Sequence, residues 1–409
     1  MGACTCTGPG MKKSETSVHV LLYSHYFWPS LGGVETYARL LAEGMAGDST
    51  FRTTVVTQTP HAGPGPEWKF PVLRRPGLLR LWRLVRATDV VFSAGPALAP
   101  MIFATLGRKP FVIEHHGYQA ICPNGLLLNK IRGGVCAEAF RNKRYEECRR
   151  CVRVDRGGVR AWAQLALTFL RRWLCRKAYA HIAITHHVLK RHDLEGMKVI
   201  YYGIPDPSPL VGVGTAEPGA REVHFGYVGR LVEEKGLPLL VEAAGKLKSL
   251  GIRHRLSFIG DGPLRDPLRA QAEAAGLNGD VLFRGSLEGP VLQRATADLD
   301  VVVMPSVWEE TAGLSAIEQM MRGRAVLAAD IGGLGEVVGD GGVKFRPFDS
   351  EDLAKRMVEL TNPELRLSVG AAARVRAARL FRLERMVNQH KALFMEACRP
   401  QNGLAQNAS

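Results

Sequence analysis

The amino-acid sequence predicts an α/β protein with two parallel-sheet domains that face each other across a cleft. The chain has 409 residues, which exceeds one ordinary hydrophobic core and indicates two domains of roughly 150 to 200 residues each. Short apolar runs recur along it and alternate with helix-compatible segments, a pattern typical of βα units in a parallel sheet. A stretch rich in proline and small residues, 205–222, separates two such series and is predicted to be a linker.

The first domain is predicted to occupy 17–204, after a tail, 1–16, that lacks periodicity and is expected to be disordered. An apolar strand at Val18–Ser24 leads into Gly32 and Gly33, which precede a predicted helix at 34–45. A strand, a glycine turn and a helix in this order are typical of a crossover that binds phosphate at the helix N-terminus. Further strands are predicted at 53–57, 89–93, 111–115, 181–185 and 198–202.

The second domain is predicted to occupy 223–380, beginning with a strand at 223–230. Its further strands are predicted at 255–259, 281–284, 300–304, 325–329 and 342–345, with helices at 237–250 and 265–275. The chain is helical in pattern from 349 onward, and 381–409 is interpreted as a last helix and a tail. Each half therefore reads as a Rossmann-like domain, with ligands expected beyond the carboxyl ends of its strands.

The charge balance narrows the classes of partner. Lys and Arg number 54 against 39 Asp and Glu, so the net charge of +15 favours nucleic acid, an anionic membrane or phosphorylated substrates. No ribonucleoprotein-type aromatic motif and no Cys/His finger spacing accompanies it, which disfavours nucleic acid. No apolar run reaches the roughly 18 to 20 residues of a spanning helix, and no secretory signal is visible, so a cytoplasmic location is expected.

One basic run, 171–177, suggests contact with the inner face of a membrane. It carries Trp173 among four cations and continues an apolar helical pattern that includes Leu165 and Leu170. Such a helix could lie on an anionic surface through its cations and tryptophan. The alternative is a helix that packs on its own sheet and keeps a hydrated basic face.

The stretch that follows the strand at 300–304 contains the most informative candidate site. Glu310 lies in the loop and Glu318 eight residues later, inside a predicted amphipathic helix at 313–321. The two carboxylates could accept hydrogen bonds from sugar hydroxyls, while the amides of Gly313, Leu314 and Ser315 remain free for phosphate oxygens. Two solvated glutamates are the simpler alternative.

Two cations follow the first strand of the second domain. Arg230 offers a planar fork suited to phosphate, and Lys235 a movable point charge. Fixed cations at this place would stabilise a leaving diphosphate without a catalytic metal. The adjacent Gly229, and Gly262 after the next strand, are predicted to form tight turns beside the same pocket.

These elements together resemble a known enzyme family. The string Pro305-Ser306 … Glu310 … Gly313 … Glu318 resembles the signature of retaining GT-B glycosyltransferases of family 4, and Gly229-Arg230 … Lys235-Gly236 resembles a second element of it. The family usually has Pro after the first glutamate and Ala-Met after the second, where this chain has Thr311 and Gln319-Met320. The resemblance covers nearly the whole chain and is sharpest from 226 to 348.

The resemblance assigns a role to each residue. It implies that Glu310 holds the donor sugar, that Glu318 holds the ribose, and that Gly262 lies near the base of the nucleotide. It further implies that Gly32 and Gly33 lie under the donor diphosphate and beside the acceptor. In family members the last helix crosses back to the first domain, which Leu383–Ala397 would do here.

His116 ends a strand of the first domain, directly before Gly117. The resemblance implies that it contacts the donor or the acceptor. Histidine is also the side chain that exchanges protons near neutral pH. His116 is therefore a fourth catalytic candidate beside Arg230, Lys235 and Glu310. Retaining members are thought to let the leaving phosphate take the acceptor proton, which would leave His116 a positioning role. An ordinary histidine at the end of a strand is the alternative.

Four of the eight cysteines fall within one insertion, 118–158, which is expected to lack regular structure of its own. They are Cys122, Cys136, Cys148 and Cys151. Cytosolic thiols stay reduced, which disfavours disulfides, whereas a pair with a two-residue gap plus two single cysteines is compatible with a structural zinc ion. The sequence therefore predicts a metal clip that orders a long loop beside the cleft.

The sequence thus predicts a retaining, hexosyltransferase-type enzyme that moves a sugar from a nucleotide-diphosphate sugar to a glycan, lipid-linked or small-molecule acceptor. Synthesis of cell-surface polysaccharide or glycoconjugate is the expected setting. Two alternatives remain: another GT-B enzyme, such as a sugar phosphorylase or a nucleotide-sugar epimerase, and a non-enzymatic protein that binds anionic surfaces.

Overall fold

The computed structural model describes residues 17–30, 32–61, 63, 65–207 and 222–399. The predicted tail, 1–16, most of the predicted linker, 208–221, and the chain end, 400–409, lie outside the described residues.

The first half contains a seven-stranded parallel sheet with the order β3-β2-β1-β4-β5-β6-β7. Its strands are β1 Val18–Ser24, β2 Phe51–Thr57, β3 Val72–Arg74, β4 Val90–Ala94, β5 Phe111–His115, β6 Ala180–Ala183 and β7 Met197–Val199. Its helices are α1 Gly33–Ala46, α2 Leu78–Ala87, α3 Leu98–Leu106, α4 Tyr145–Arg156, α5 Gly158–Cys175 and α6 His186–His192.

The second half contains a six-stranded parallel sheet with the order β10-β9-β8-β11-β12-β13. Its strands are β8 Val223–Val228, β9 His254–Ile259, β10 Val281–Gly285, β11 Val301–Met304, β12 Ala325–Ala329 and β13 Val343–Phe345. A short 3₁₀ helix, Glu233–Lys235, precedes α7 Leu237–Ser249, α8 Arg265–Ala274, α9 Gly289–Ala297, α10 Leu314–Met321, α11 Gly332–Val338, α12 Ser350–Glu359, α13 Pro363–Leu380 and α14 Leu383–Ala397.

The predicted α/β class with two parallel sheets is confirmed, with local differences at element ends. The edge strand β3 was not predicted, because its three residues are too few to show an apolar pattern. The prediction extended β6 to Thr185, but the Thr185 hydroxyl accepts a hydrogen bond from the Val188 amide and caps α6. The prediction that 118–158 lacks regular structure is wrong, since α4 lies within it.

The strand order places a crevice in each sheet. In the first sheet the order reverses between β1 and β4, and in the second between β8 and β11. Ligands of open α/β sheets bind beyond the carboxyl ends of the strands at such reversals. The loops that follow β1, β8 and β11 therefore lie at the positions where a site is expected.

The hydrophobic core continues from one half into the other. The residues of β11 from Val301 to Val303 are fully buried, as expected for a strand covered by helices on both faces. One apolar cluster includes strands of both sheets and passes through Tyr202, Ile204 and Phe381 between them. The two halves therefore share buried apolar contacts in addition to polar ones.

The last helix, α14, packs on the first sheet although it follows the second in sequence. It lies against α1, where the Tyr37 hydroxyl is 2.8 Å from His390 Nε2 and Lys391 Nζ is 2.9 Å from Asp48. Leu383 N donates to Ile204 O at 3.0 Å, and Ile204 N donates to Phe381 O at 2.9 Å. These backbone bonds fix the point at which the chain returns.

Candidate active site

The loop between β11 and α10 is held by contacts from both halves. The Tyr118 hydroxyl donates to Glu309 O at 2.9 Å, and the Thr311 hydroxyl donates to His116 O at 3.1 Å. The Thr185 hydroxyl in turn donates to Thr311 O at 2.8 Å. The carboxyl end of β5 and the N-terminus of α6 therefore fix the height of this loop in the cleft.

Lys235 and Glu310 form a buried ion pair within this site. Lys235 Nζ lies 2.7 Å from Glu310 Oε1, and the Ser306 hydroxyl donates to the same oxygen. Glu310 is only 3% exposed, and its backbone carbonyl accepts from Gly333 N at 2.6 Å. Because water is largely excluded, each charge fixes the position of the other. The two residues that the sequence suggested separately are thus in contact.

Arg230 lies beyond this pair and stays available. Its side chain is 71% exposed, and its nearest described ionic partner is Glu234, 3.7 Å away. The Arg230 carbonyl accepts from the Tyr227 hydroxyl at 2.9 Å, which fixes the backbone while the guanidinium remains in solvent. This cation can move onto an anion that enters the cleft.

The N-terminus of α10 opens toward the same space. Gly313 has φ of 92°, which favours glycine, and a side chain there would meet Leu334 and the Glu310 carboxylate. Within the described residues, the amides of Leu314 and Ser315 have no hydrogen-bond acceptor and no side chain caps the helix. An anion placed there would gain from the free N–H groups and from the helix dipole.

The N-terminus of α1 faces α10 across the cleft, and the Glu35 carboxylate lies beside it without a capping hydrogen bond. A Cβ on Gly33 would lie 3.9 Å from Leu314 Cβ, so the two helix starts are close. The Glu35 carboxylate folds back against Gly32 and accepts a hydrogen bond from the Ser30 hydroxyl at 3.3 Å. The predicted glycine turn is therefore present at the cleft, with a carboxylate of the chain itself at the helix end.

Glu318 lies on the second turn of α10 and is half-buried. Burial raises the pKa of its carboxyl, and Arg322 on the next turn opposes that shift. Its carboxylate makes no hydrogen bond to another residue in the described ranges. It is therefore free to accept hydrogen bonds from a ligand hydroxyl.

Gly229 and Gly262 join two loops by close backbone packing. Gly229 N donates to Ile259 O at 2.9 Å, and Leu231 N donates to Asp261 O at 2.9 Å. A Cβ on Gly262 would collide with the backbone of Leu231. These glycines thus position the loop that carries Arg230.

His116 belongs to a buried polar cluster behind the cleft that the sequence interpretation missed. Its Nδ1 lies 2.6 Å from the Tyr202 hydroxyl, and its ring packs against Tyr37 with centroids 4.7 Å apart. Tyr37 also donates to Glu114, which lies 3.2 Å from His390 Nε2. A charged residue inside the apolar strand β5 was the signal that such a cluster exists. The other members come from α1, α14 and the segment after β7.

The environment of His116 keeps its ring neutral near neutral pH. Burial lowers the pKa of His116, an effect that the nearby Glu114 opposes. Its Nε2 has no hydrogen-bond partner among the residues that the structure describes. When Tyr202 donates to Nδ1, Nε2 carries the proton and can donate to a ligand.

The four cysteines of the insertion line one small cavity, together with Asn124, Asn129 and Glu147. All four are free thiols. In the described part of the chain, no group of three or more His, Cys, Asp and Glu side chains has the arrangement of a metal site, so the predicted zinc clip is not formed by the side chains as they lie.

Helix α5 exposes aromatic residues on one side and buries apolar residues on the other. Trp162 is 60% exposed and Trp173 51%, each with a cation above its ring, Arg149 and Lys177. None of the helices that the structure describes has the length and apolar content needed to cross a bilayer.

The chain has the GT-B fold, in which two Rossmann-like domains face a cleft. It superimposes on Anabaena HepE in complex with UDP-glucose with a TM-score of 0.70 at 18% identity, covering 92% of this chain and 99% of that one. Sucrose-phosphate synthase from Thermosynechococcus elongatus gives a TM-score of 0.69 at 19% identity, covering 93% of this chain and 98% of that one.

Sequence comparison identifies the second half more closely. Residues 218–376 match the family model of Glycosyl transferases group 1. The chain is 40% identical over 190 residues to 2-deoxystreptamine glucosyltransferase from Streptomyces kanamyceticus, covering 42% of this chain and 48% of the relative. It is 38% identical over 154 residues to sulfoquinovosyl transferase SQD2 from Arabidopsis thaliana, covering 36% of this chain and 28% of that one. The matches thus span about half or less of these relatives.

Proposed function

We propose that the protein is a retaining glycosyltransferase that uses a nucleotide-diphosphate sugar as donor. The observation that carries this proposal is the grouping of a buried Lys235–Glu310 pair with the uncapped N-terminus of α10 at the crevice beside β11. A cation, a carboxylate and free amides within one loop system match the parts of such a donor: a diphosphate and a hydroxyl-rich sugar. The match to group 1 glycosyl transferases and the relatives' transferase names support it.

The chemical step needs charge to be stabilised on the leaving diphosphate. As the bond to the anomeric carbon breaks, negative charge grows on the phosphate oxygens, and preorganised donors there lower the barrier. Lys235 and the amides of Leu314 and Ser315 are fixed before the ligand arrives, whereas Arg230 is exposed and can close onto it. Glu310 would hold sugar hydroxyls, and Glu318 the ribose.

The engagement of Glu310 supports the retaining part of the proposal. Its Oε1 is already bound by Lys235 and Ser306, which makes it a poor nucleophile or general base. The departing phosphate oxygen is then the base that takes the acceptor proton, on the same face that the acceptor attacks. His116, neutral and with a free Nε2, would orient the acceptor or the donor sugar.

A panel of nucleotide-diphosphate sugars, read by the shift in melting temperature, tests donor binding, because a ligand of the folded state stabilises it by mass action. We expect one base and one sugar to stabilise the chain most, and the Lys235→Ala variant to lose that stabilisation. An NMR time course with sugar alcohols, lipid-linked glycans and oligosaccharides then gives the acceptor and the anomeric configuration. An inverted product refutes the retaining assignment, and no stabilisation by any compound refutes the nucleotide site.

The same experiment separates the other enzyme classes. A sugar phosphorylase would release sugar 1-phosphate only with inorganic phosphate, and an epimerase would convert the nucleotide sugar without an acceptor. We expect neither reaction.

Contact with an anionic membrane is a second element of the proposal, supported by the exposed Trp162 and Trp173 on α5 and the cations beside them. Such a surface would dock on the cytoplasmic leaflet and bring a lipid-linked acceptor to the cleft. The double variant Trp162→Ser/Trp173→Ser should lower binding to anionic vesicles in flotation assays while donor binding stays unchanged. Equal flotation of the variant would refute this surface.

A further inference from the structure

The four cysteines of the insertion come from three separate segments and meet at one cavity. Cys122 lies in a turn closed by Gly125 N donating to Cys122 O at 3.0 Å, and Cys136 N donates to Leu127 O at 2.6 Å. Cys148 and Cys151 lie three residues apart on α4 and therefore on one face of that helix. All four line the same cavity, whose volume is about 10 Å³.

The size of this cavity limits what it can hold. About 10 Å³ is close to the space taken by one water-sized sphere. A single metal ion fits such a space, whereas an iron–sulfur cluster with several iron and sulfide atoms does not. A four-coordinate ion that prefers sulfur ligands matches both the size and the donor set, and zinc is the usual ion of four-cysteine structural sites.

Two N–H groups point at the sulfur of Cys151, which also lies 3.6 Å from Leu128 O. Asn124 Nδ2 donates to Cys151 Sγ at 3.3 Å, and Lys130 N donates to it at 3.4 Å. N–H groups that point at a sulfur are the outer-shell bonds that orient a thiolate ligand. The Asn124 amide is itself bound to Leu128 O at 2.8 Å, so its direction is fixed.

Cys122 Sγ donates to Asn124 Oδ1 at 3.0 Å, so one side chain contacts the sulfurs of both Cys122 and Cys151. No disulfide joins the four cysteines, which leaves each sulfur available to an ion.

We propose that Cys122, Cys136, Cys148 and Cys151 bind one structural Zn²⁺ ion as thiolates. Each thiol gives up its proton to solvent when it ligates the ion, and no electron transfer is involved. Since the side chains are not yet arranged as a metal site, the sulfurs must rotate inward to reach Zn–S distances of about 2.3 Å.

The cysteine cavity lies in a segment that contacts the second half, so a bound ion would affect the cleft. The contacts of the insertion with the second half include the Tyr118 hydroxyl on Glu309 O, and Lys130 Nζ, 3.9 Å from Glu233. Lys130 is also the residue whose amide points at Cys151. A bound ion would therefore fix both contacts beside Lys235 and Glu310. This consequence rests on the proposed function, whereas zinc binding itself does not.

Metal analysis of the full-length chain, purified without a histidine tag and without nucleotide, tests the proposal. We expect about one zinc per chain, retained through dialysis, and near zero in the Cys148→Ser/Cys151→Ser double variant. Cys4→Ser/Cys6→Ser and Cys398→Ser are matched controls, because those cysteines lie outside the insertion, and both should keep the ion. Zinc that is lost with Cys4 and Cys6 instead would overturn the assignment.

Two measurements on the unaltered protein keep the test valid if the double variant does not fold. Cobalt bound in place of zinc should give the intense visible and near-ultraviolet bands of a tetrahedral thiolate site. Native alkylation mapped by mass spectrometry should leave the four cysteines unmodified until a chelator is added, and hydrogen exchange in 118–158 should then rise. Absence of any bound metal, with all four thiols alkylated in the native protein, refutes the proposal even where nucleotide sugars bind.

Discussion

The two sides of the cleft differ in the charged and N–H groups that they present. On the first side, the Glu35 carboxylate covers the start of α1, and Glu114 is bound by Tyr37 and His390 behind it. On the second side, the Glu310 carboxylate near the start of α10 is paired with Lys235, and Arg230 is exposed. In the described residues the two carboxylates of the first side have no Lys or Arg partner, whereas the second side leaves a cation and N–H groups available to an anion. This difference supports the proposal that the second side binds the diphosphate.

A third helix start supports this interpretation. The Glu336 carboxylate of α11 accepts from the amides of His186 and His187 at 2.8 and 2.7 Å, across the boundary between the halves. The start of α6 is therefore satisfied by the opposite half of the molecule. Buried polar groups are normally paired, so a helix start left open at a crevice is informative.

The largest expected effect is a loss of stability of the first half in acid. Burial lowers the pKa of His181 to about 4 and that of His192 to about 3, and it lowers the pKa of His115 as well. The unfolded chain then binds more protons than the folded one below pH 6.5, so stability falls as pH drops from 6.5 toward 4. His181 alone corresponds to about 3 kcal/mol across that range.

Urea unfolding between pH 7.5 and 4.5, with hydrogen exchange to locate the weakened region, measures this effect. Exchange should rise first around β5, β6 and α6. An equal rise in exchange in both halves would show that acid does not weaken the first half selectively.

The next largest effect is expected on turnover when Lys235 is replaced. Lys235→Ala removes the charge that is held against Glu310 and would meet the growing phosphate charge, so kcat should fall at least about a hundredfold. Lys246→Ala, a surface lysine of the same half paired with Glu351, is the matched control and should leave kcat unchanged. Near-normal turnover of the Lys235 variant would disprove its role.

Loss of the cross-domain cap should weaken the fold. Glu336→Ala leaves the amides of His186 and His187 and the Tyr201 hydroxyl without their acceptor, which should lower the free energy of unfolding by about 2 kcal/mol. The Glu351→Ala variant removes only an exposed pairing with Lys246 and should change little. Denaturant titration of both variants measures the difference, and equal stabilities would show that this contact does not hold the halves together.

The smallest expected effect is a loss of nucleotide affinity when a carboxylate is placed at the start of α10. Ser315→Asp places a carboxylate at the start of α10, as Glu35 does at α1, and should weaken nucleoside-diphosphate binding about tenfold by competing for the amides. Ser249→Asp, at the C-terminal end of α7, adds the same charge away from α10, and this variant should bind the nucleoside diphosphate normally. Calorimetric titration gives both affinities. Unchanged affinity in Ser315→Asp would place the diphosphate elsewhere.

Local sequence patterns predicted most strands of the two sheets and the loop of the candidate site. Apolar runs of strand length identified the central strands, and the loop before α10 stood out through Glu310 and Gly313. The three-residue β3 and the helix α4 were missed, because one is too short for periodicity and the other is mostly charged, with Cys148, Cys151 and Val152 as its buried residues.

By itself, the sequence determined the alternation of strands and helices and the loops that carry Lys235, Glu310 and the four cysteines, because these features depend on neighbouring residues. Only the tertiary structure decided that Lys235 pairs with a carboxylate 75 positions later, that Glu35 covers α1, and that the cysteines share one cavity. Those contacts arise from the packing of distant segments, which no local pattern specifies.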